Sequence, residues 1–364
     1  MSNSRKHICI VSPSLKIGGI QRALVGLANY YVEQGLTVTF ITCFSVTPLY
    51  KLDPRVLYID HGNRRDRAES PFGKASFYLF LLKHVRKNVK RLKPDAVLTF
   101  GDIMGPFVLG ALYGMRVPVF IGDRTSADYD FKFPLPQLKK WLYPRSKGYF
   151  AQTTKAAEYR KKEFGNKLKI KVVPNGIRNV KTYPDVPREN MIAYVGRFAW
   201  EKAPERLIEA FAAMNRPGWT LEMAGDGPLL KKMKKYAETL GISDKIVFHG
   251  QVENVDALLA RASVFVIPSI LEGFPNALCE AMAAGLPCVC FESIPYEDIF
   301  TNGFDGFALP AGDIPALTAK LQELADNPEL RETVGENARK VMERLNIDRA
   351  GKTIYREIFA EDLA

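Results

Sequence analysis

Two glutamates eight residues apart, Glu272 and Glu280, carry the clearest chemical signal in the sequence. They lie in Pro268-Ser-Ile-Leu-Glu-Gly-Phe-Pro-Asn-Ala-Leu-Cys-Glu-Ala-Met-Ala-Ala-Gly-Leu-Pro-Cys288, which reads as a strand end, a Gly/Pro loop and a helix. Eight residues of helix would hold the carboxylates about 12 Å apart. That is wider than the ~5–9.5 Å of a glycosidase acid/base pair. The spacing suits the two ends of one extended ligand, a sugar at Glu272 and a ribose at Glu280. Between them, the backbone of Gly273, Phe274, Pro275, Asn276, Ala277 and Leu278 leads into a helix start, where N–H groups suit phosphate oxygens. Asn276 is the expected N-cap, and Gly285 followed by Pro287 is a helix stop. Two unrelated surface glutamates are the blander alternative.

Three further loops offer groups for an anion. Val195-Gly-Arg-Phe-Ala-Trp-Glu-Lys-Ala203 puts Arg197 and Lys202 just after Gly196, a rigid donor fork and a compact charge that suit a diphosphate. Met223-Ala-Gly-Asp-Gly-Pro-Leu229 places Gly225 where a flat or phosphorylated ligand can approach the backbone. Gly18-Gly19 sits between a strand and a helix, where the helix dipole favours negative charge. A turn that serves only the chain path explains that pair equally well. The Gly-x-Gly-x-x-Gly dinucleotide fingerprint and the Walker loop are both missing.

The elements that must position these loops alternate regularly. His7–Pro13, Val38–Phe44, Val56–Asp60, Ala96–Phe100, Val117–Asp123 and Gly148–Thr153 read as strands, with helical periodicity over Ile20–Gln34 and Ala75–Leu92. After the Pro174-Asn-Gly176 turn, polar Arg178–Glu189 reads as a linker. The alternation restarts with strands at Met191–Gly196, Thr220–Ala224, Ile246–Gly250, Val264–Pro268 and Cys288–Phe291. Helical segments follow over Ile314–Leu345, with a break near Asn327-Pro328, and over Asp348–Ala360. This is an α/β pattern of two doubly wound, Rossmann-like parallel-sheet domains facing a cleft. The expected bounds are 1–180, 181–345 and a last helix, 346–364, packing back on the first domain.

A length of 364 residues, with 47% hydrophobic and 25% charged, fits a globular two-domain chain. The longest apolar run, Phe77–Leu82, is far short of the ~20 residues of a membrane span. Polar Met1–Arg5 leading straight into a strand predicts no secretory signal. Five cysteines in apolar segments predict buried thiols in a reducing cytosol. Scattered histidines predict no metal site. Charge divides unevenly, net +19 over residues 1–180 and −8 over the remainder. Lys83, Arg86, Lys87 and Lys90 line the face opposite the apolar stripe of the Phe77–Lys93 helix. Arg64-Arg65-Asp66-Arg67 and Lys139-Lys140-Trp141 add charge and an aromatic ring. These features predict an anionic membrane surface or a phosphorylated lipid acceptor as partner. Nucleic acid is not expected, since no recognition helix, zinc finger or aromatic RNA motif is present.

Taken in order, the Gly18-Gly19 loop, Pro174-Asn-Gly176, Gly196-Arg197…Lys202, Ala224-Gly-Asp-Gly-Pro228 and Glu272-Gly-Phe-Pro…Glu280-Ala-Met-Ala-Ala-Gly-Leu-Pro287 resemble family 4 retaining glycosyltransferases, with their Glu-x7-Glu signature. The resemblance covers nearly the whole chain and implies the two-domain GT-B fold. It implies that Glu280 holds the ribose hydroxyls, that Arg197 and Lys202 neutralise the departing diphosphate, and that Glu272 addresses the donor sugar. Gly18 and Gly19 would close over that sugar. It further implies retention of anomeric configuration, no cofactor and no bound metal. The donor would be a uridine diphosphate hexose or N-acetylhexosamine. The acceptor would be a glycan such as one linked to polyprenyl diphosphate, met at the cytoplasmic face of the membrane. Where members often carry a histidine, this chain reads Gly122-Asp123-Arg124-Thr125-Ser126, so Asp123 and Arg124 are candidate sugar or acceptor contacts. Asp128-Tyr-Asp130 imitates a metal motif of another transferase fold and reads as a surface coincidence. The alternatives are a nucleotide-sugar epimerase or hydrolase on the same fold, or a non-catalytic membrane-associated scaffold.

Overall fold

The structure, a computed structural model, describes residues 5–16, 18–44, 47–48, 50–61, 71–126, 129 and 131–363, with side chains from residue 76 onward in the helix that begins at 71. Arg64, Arg65, Asp66, Arg67, Asp128 and Asp130 lie outside the described residues. The chain divides into two compact units, Met1–Gly176 with Ile347–Ala364, and Ile177–Asn346. The first boundary falls four residues before the expected 180.

The first unit runs β1 (His7–Ser12), α1 (Gly19–Glu33), β2 (Thr37–Thr42), β3 (Leu57–Ile59), α2 (Pro71–Leu92), β4 (Ala96–Phe100), α3 (Met104–Ala111), β5 (Val119–Gly122), α4 (Leu135–Leu142), β6 (Gly148–Ala151), α5 (Thr154–Phe164) and β7 (Ile170–Val172). Its seven strands are parallel, in the order β3-β2-β1-β4-β5-β6-β7. The second unit runs β8 (Met191–Val195), α6 (Pro204–Met214), β9 (Thr220–Ala224), α7 (Leu230–Thr239), β10 (Ile246–Gly250), α8 (Val255–Arg261), β11 (Val264–Ile267), α9 (Asn276–Ala283), β12 (Cys288–Phe291), β13 (Phe307–Leu309), α10 (Ile314–Asp326), α11 (Pro328–Arg339) and α12 (Val341–Arg344). Its six parallel strands follow β10-β9-β8-β11-β12-β13. The last helix, α13 (Ile347–Phe359), returns to the first unit.

Central strands such as Ala96–Phe100 and Val264–Ile267 are buried at every position. Covered on both faces, they read as apolar runs without polar alternation, broken only by Thr99, whose hydroxyl donates to the Val11 carbonyl at 2.8 Å. Each sheet carries one core per face. In the first unit α1 and α13 cover one side, with Leu24, Ala28, Tyr31, Ile354 and Tyr355 packed there. Leu81, Val85 and Val89 of α2 pack on the other. The α1–α13 crossing is close. A Cβ on Gly351 would stand 2.4 Å from the Tyr30 ring, and Tyr31 donates its hydroxyl to the Gly351 carbonyl at 3.0 Å.

In each sheet the order of strand addition reverses once, between β1 and β4 and between β8 and β11. Ligands of open α/β sheets bind at such switch points, beyond the carboxyl ends of the strands. The loops after β8 and β11 are therefore neighbours, although about 70 residues separate them in sequence.

Candidate functional site

At the switch point of the second unit the two loops join. The Glu201 carbonyl accepts from the Ile270 N–H at 2.8 Å and the Leu271 N–H at 3.3 Å. Above this backbone seam Lys202 Nζ meets Glu272 Oε1 at 2.5 Å, and Ser269 Oγ donates to the same oxygen at 2.9 Å. The Glu272 side chain is 7% exposed and that of Lys202 22%, so the pair is sheltered with the lysine on the outer side. A sheltered ammonium interacts with an incoming anion more strongly than one in bulk water. Arg197 stands at the outer edge, 66% exposed, and donates from Nη2 to Glu201 Oε1 at 2.7 Å. Burial opposes the Glu201 charge, yet hydrogen bonds from its own backbone and from Arg197 hold it below the usual carboxylate range.

The glycines of the neighbouring loop are dictated by contact. Gly225 has φ +139°, and a Cβ there would lie 1.8 Å from the Gly196 carbonyl oxygen. The Gly196 N–H donates to the Ala224 carbonyl at 3.0 Å, and the Phe198 N–H to that of Asp226 at 3.0 Å. The loops carrying Gly196 and Gly225 thus lie backbone on backbone, with no room for a side chain at position 225.

The segment between the glutamates differs from its expectation in one detail. The cap position of α9 is Pro275, and Asn276 is the first helical residue. Proline fits a position without an N–H requirement. The Asn276 N–H bonds the Phe274 carbonyl at 3.0 Å. Ala277 and Leu278 contribute N–H groups of the first turn, which a helix leaves without intrahelical partners. Phe274 and Leu278 turn their side chains into the core, so any ligand contact from them comes through backbone. At the far end, the Gly285 N–H bonds Met282 O at 2.8 Å and the Leu286 N–H bonds Ala281 O at 3.1 Å, a Schellman stop with Gly285 at φ +79°.

Glu280 is 5% exposed on α9. Its Oε2 lies 3.2 Å from Arg178 Nη2, and Arg178 Nη1 meets Asp256 Oδ2 at 2.6 Å. The hydrogen bonds it donates to the Asp256 carboxylate raise the Arg178 guanidinium above its ordinary value. Sequence reasoning missed both partners, because Arg178–Glu189 looked like a linker. The structure sews that stretch onto the second unit: Arg188 donates to the carbonyls of Leu259, Ala262 and Ala284 at 2.6–2.9 Å, and Glu189 pairs with Arg261. The signal available was its charged residues, among them Arg178, Arg188 and Glu189, each able to cap or pair.

In the first unit, Gly18 is the N-cap of α1, and Gly19 its first residue. Asp123 and Arg124, read as sugar or acceptor contacts, are turned to internal tasks. The Asp123 carboxylate is buried. It accepts from Arg160 Nη2 at 2.5 Å, from Lys139 Nζ at 3.2 Å and from the Tyr143 hydroxyl. Arg124 lies over the Phe100 ring at 3.5 Å, donates to the Asp123 and Phe150 carbonyls, and is pushed down to about 10 by burial. Lys139 is no surface charge: it is 3% exposed and bridges Asp123 to Asp102, whose Oδ1 is 2.7 Å away. Two buried carboxylates require such counter-charges. Lys83, Lys87 and Lys90 are exposed on α2. Arg86 is exposed too, but Nη1 caps the carbonyls of Ala111 at 3.0 Å and Tyr113 at 2.8 Å beyond α3.

Among the described residues, no group of three or more His, Cys, Asp and Glu is arranged to hold a metal ion, and no helix is long and apolar enough to cross a membrane.

Two parallel, doubly wound units in one chain, the second with a cation–carboxylate pair at its switch point, define the GT-B class of α/β protein. The family model Glycosyltransferase Family 4 matches residues 17–179, and Glycosyl transferases group 1 matches residues 179–341. The chain belongs to these glycosyltransferases. It is 25% identical over 341 residues to a Campylobacter jejuni alpha-1,4-N-acetyl-D-galactosaminyltransferase, covering 92% of each chain. That enzyme's name gives its acceptor as GalNAc-alpha-(1->4)-GalNAc-alpha-(1->3)-diNAcBac-PP-undecaprenol. Among solved structures, sucrose-phosphate synthase from Thermosynechococcus elongatus superposes with a TM-score of 0.83 at 18% identity, covering 98% of this chain and 100% of that one. Anabaena HepE, solved with UDP and glucose, gives 0.81 at 16% identity, covering 97% and 99%.

Proposed function

We propose that the chain is a retaining glycosyltransferase that moves a hexose or N-acetylhexosamine from a uridine diphosphate donor to a polyprenyl-diphosphate-linked glycan. The observation that carries this reading is the Lys202–Glu272 contact at the β8/β11 switch point, beside the N-terminus of α9. In the proposed reaction the diphosphate lies against Lys202 and Arg197 and over the first-turn N–H groups of α9. Glu272 and the Gly273 backbone meet the donor sugar, while Glu280 meets the ribose. Negative charge develops on the β-phosphate as the glycosidic bond breaks. Fixed cations and amide dipoles stabilise it, without a bound metal. The acceptor oxygen bonds the anomeric carbon on the face the diphosphate leaves and passes its proton to the departing β-phosphate oxygen, so configuration is kept and the nucleoside diphosphate is released.

The named acceptor of the Campylobacter relative supports a lipid-linked substrate. Docking on an anionic membrane is proposed from the basic first unit and from exposed rings beside α4. Tyr113 and Trp141 stack at 5.5 Å, and the Arg145 guanidinium is 4.7 Å from the Trp141 ring. Such amphipathic aromatics favour the interface layer.

The test is a transfer assay with UDP-hexoses and UDP-N-acetylhexosamines and a synthetic polyprenyl-diphosphate glycan, with product anomers assigned by NMR. Acceptor-dependent UDP release with retention is expected. Sugar conversion or release in the absence of acceptor would instead establish an epimerase or hydrolase, and no turnover with any donor would leave a scaffold.

A further inference from the structure

Glu280 does not stand alone on α9. Arg178 places Nη2 3.2 Å from Glu280 Oε2, and the same guanidinium is gripped by Asp256 through both of its terminal nitrogens. Asp256 is 8% exposed in the first turn of α8, and its Oδ2 also accepts the Lys181 N–H at 2.9 Å. Arg178 Nη1 further reaches the Asn179 carbonyl at 3.3 Å. The fork is thus held on one side by a bidentate carboxylate, a geometry with strong directional preference. A guanidinium fixed in this way lends its orientation to whatever else it touches.

We propose that Arg178, held by Asp256, is a positioning residue for Glu280 that fixes the carboxylate in the orientation needed to accept the ribose hydroxyls of the donor nucleotide. Charge supports the assignment. Two carboxylates share one guanidinium, so the trio keeps a net negative charge, and Glu280 remains a strong acceptor. Were Arg178 paired with Glu280 alone, it would compete with the ribose for the same lone pairs. Geometry supports it as well: discrimination against a missing hydroxyl depends on an acceptor already aimed, since a loosely held one can turn away to another partner. Arg178 itself need not touch the nucleotide.

The inference rests on the ribose reading of Glu280, and one experiment separates the two. Calorimetric Kd values for UDP and 2′,3′-dideoxy-UDP are measured on the full chain, its Arg178→Ala and Arg178→Lys variants, and Glu280→Gln. The unmodified protein is expected to prefer UDP. Glu280→Gln and Arg178→Ala should each reduce that preference about tenfold, the effect of one good hydrogen bond. Affinity for the dideoxy nucleotide should barely move, and Arg178→Lys should keep part of the preference. If Glu280→Gln removes the preference while Arg178→Ala weakens both nucleotides equally or neither, the positioning role is wrong and the ribose reading stands. If Glu280→Gln leaves the preference intact, both are wrong. Tighter UDP binding by Arg178→Ala would mark a competitor and overturn the proposal. Should Arg178→Ala not fold, Asp256→Asn is read against the same outcomes.

Discussion

Lys202 meets a carboxylate where a phosphate should arrive, and this sets what its loss would do. Lys202→Ala removes the compact cation near the leaving group and leaves Glu272 with the Ser269 hydroxyl on Oε1. UDP release should slow by about 10²–10³-fold, the usual effect of deleting one transition-state donor. Stability should fall by only ~1–3 kcal/mol, read from urea melts. A rate within threefold of the parent would remove Lys202 from the chemistry. Gly225→Ala acts on shape: with φ +139° and a Cβ 1.8 Å from the Gly196 carbonyl, the two loops must part. We expect UDP binding weakened at least tenfold by calorimetry, since strain of ~1–3 kcal/mol falls on the loop beside the site. At this scale the sequence placed Glu272, Lys202 and Gly225 in strand-to-helix loops, which is where the structure has them. It misled at Asp123, Lys139 and Arg178. Asp123 reads as a sugar or acceptor contact, Lys139 as surface charge and Arg178 as linker, and only the fold reveals their partners across 16 to 102 positions of chain.

Helix packing explains what element boundaries alone could not. The α1–α13 contact needs a residue without a side chain at 351, so Gly351→Ala forces the Tyr30 ring aside. A loss of ~1–3 kcal/mol is expected, as for other overpacked contacts, measured by urea unfolding. No measurable loss would mean the crossing gives way freely. Strands were legible because a parallel sheet covered on both faces makes short apolar runs, and all but two of them were marked from sequence. The exceptions, Ile170–Val172 and Phe307–Leu309, are each only three residues long. The break before Pro328 was visible from the proline, and Asn327 caps the next helix by accepting from the Leu330 N–H at 2.9 Å. The separation of α11 from α12 at Lys340 carries no such residue, and helical periodicity runs through it. At α9 the sequence points to Asn276 as the cap, whereas the cap position falls one residue earlier, on Pro275.

Across the whole molecule, charge is sorted between surface and interior. The net +19 of residues 1–180 counts Lys139 and Arg160, which are buried counter-charges for Asp102 and Asp123. Burial opposes the Asp123 charge, but Lys139 and Arg160 outweigh it and hold the group below its ordinary value. A carboxyl depressed in the folded state stabilises fully above the unfolded value near ~3.9 and loses that contribution as pH falls through the lower folded value. Asp123→Asn should therefore cost ~3–5 kcal/mol at pH 7 and much less in strong acid, followed by near-UV circular dichroism in urea. An equal cost at both pH values would deny the ion cluster its role. The thiols complete the picture: burial pushes Cys9 and Cys43 up to about 12, and Cys279, Cys288 and Cys290 are buried as well. All five should resist a thiol reagent at pH 8 until urea unfolds the chain.

The central claim is that the switch point of the second unit grips a nucleoside diphosphate with Lys202 and Glu280 at its two ends. A crystal structure with UDP bound tests it most directly. The account predicts Lys202 Nζ within hydrogen-bond distance of a phosphate oxygen and the ribose diol on the Glu280 carboxylate. UDP seated elsewhere, or seated there with its ribose away from Glu280 and Lys202 still closed on Glu272, would contradict it.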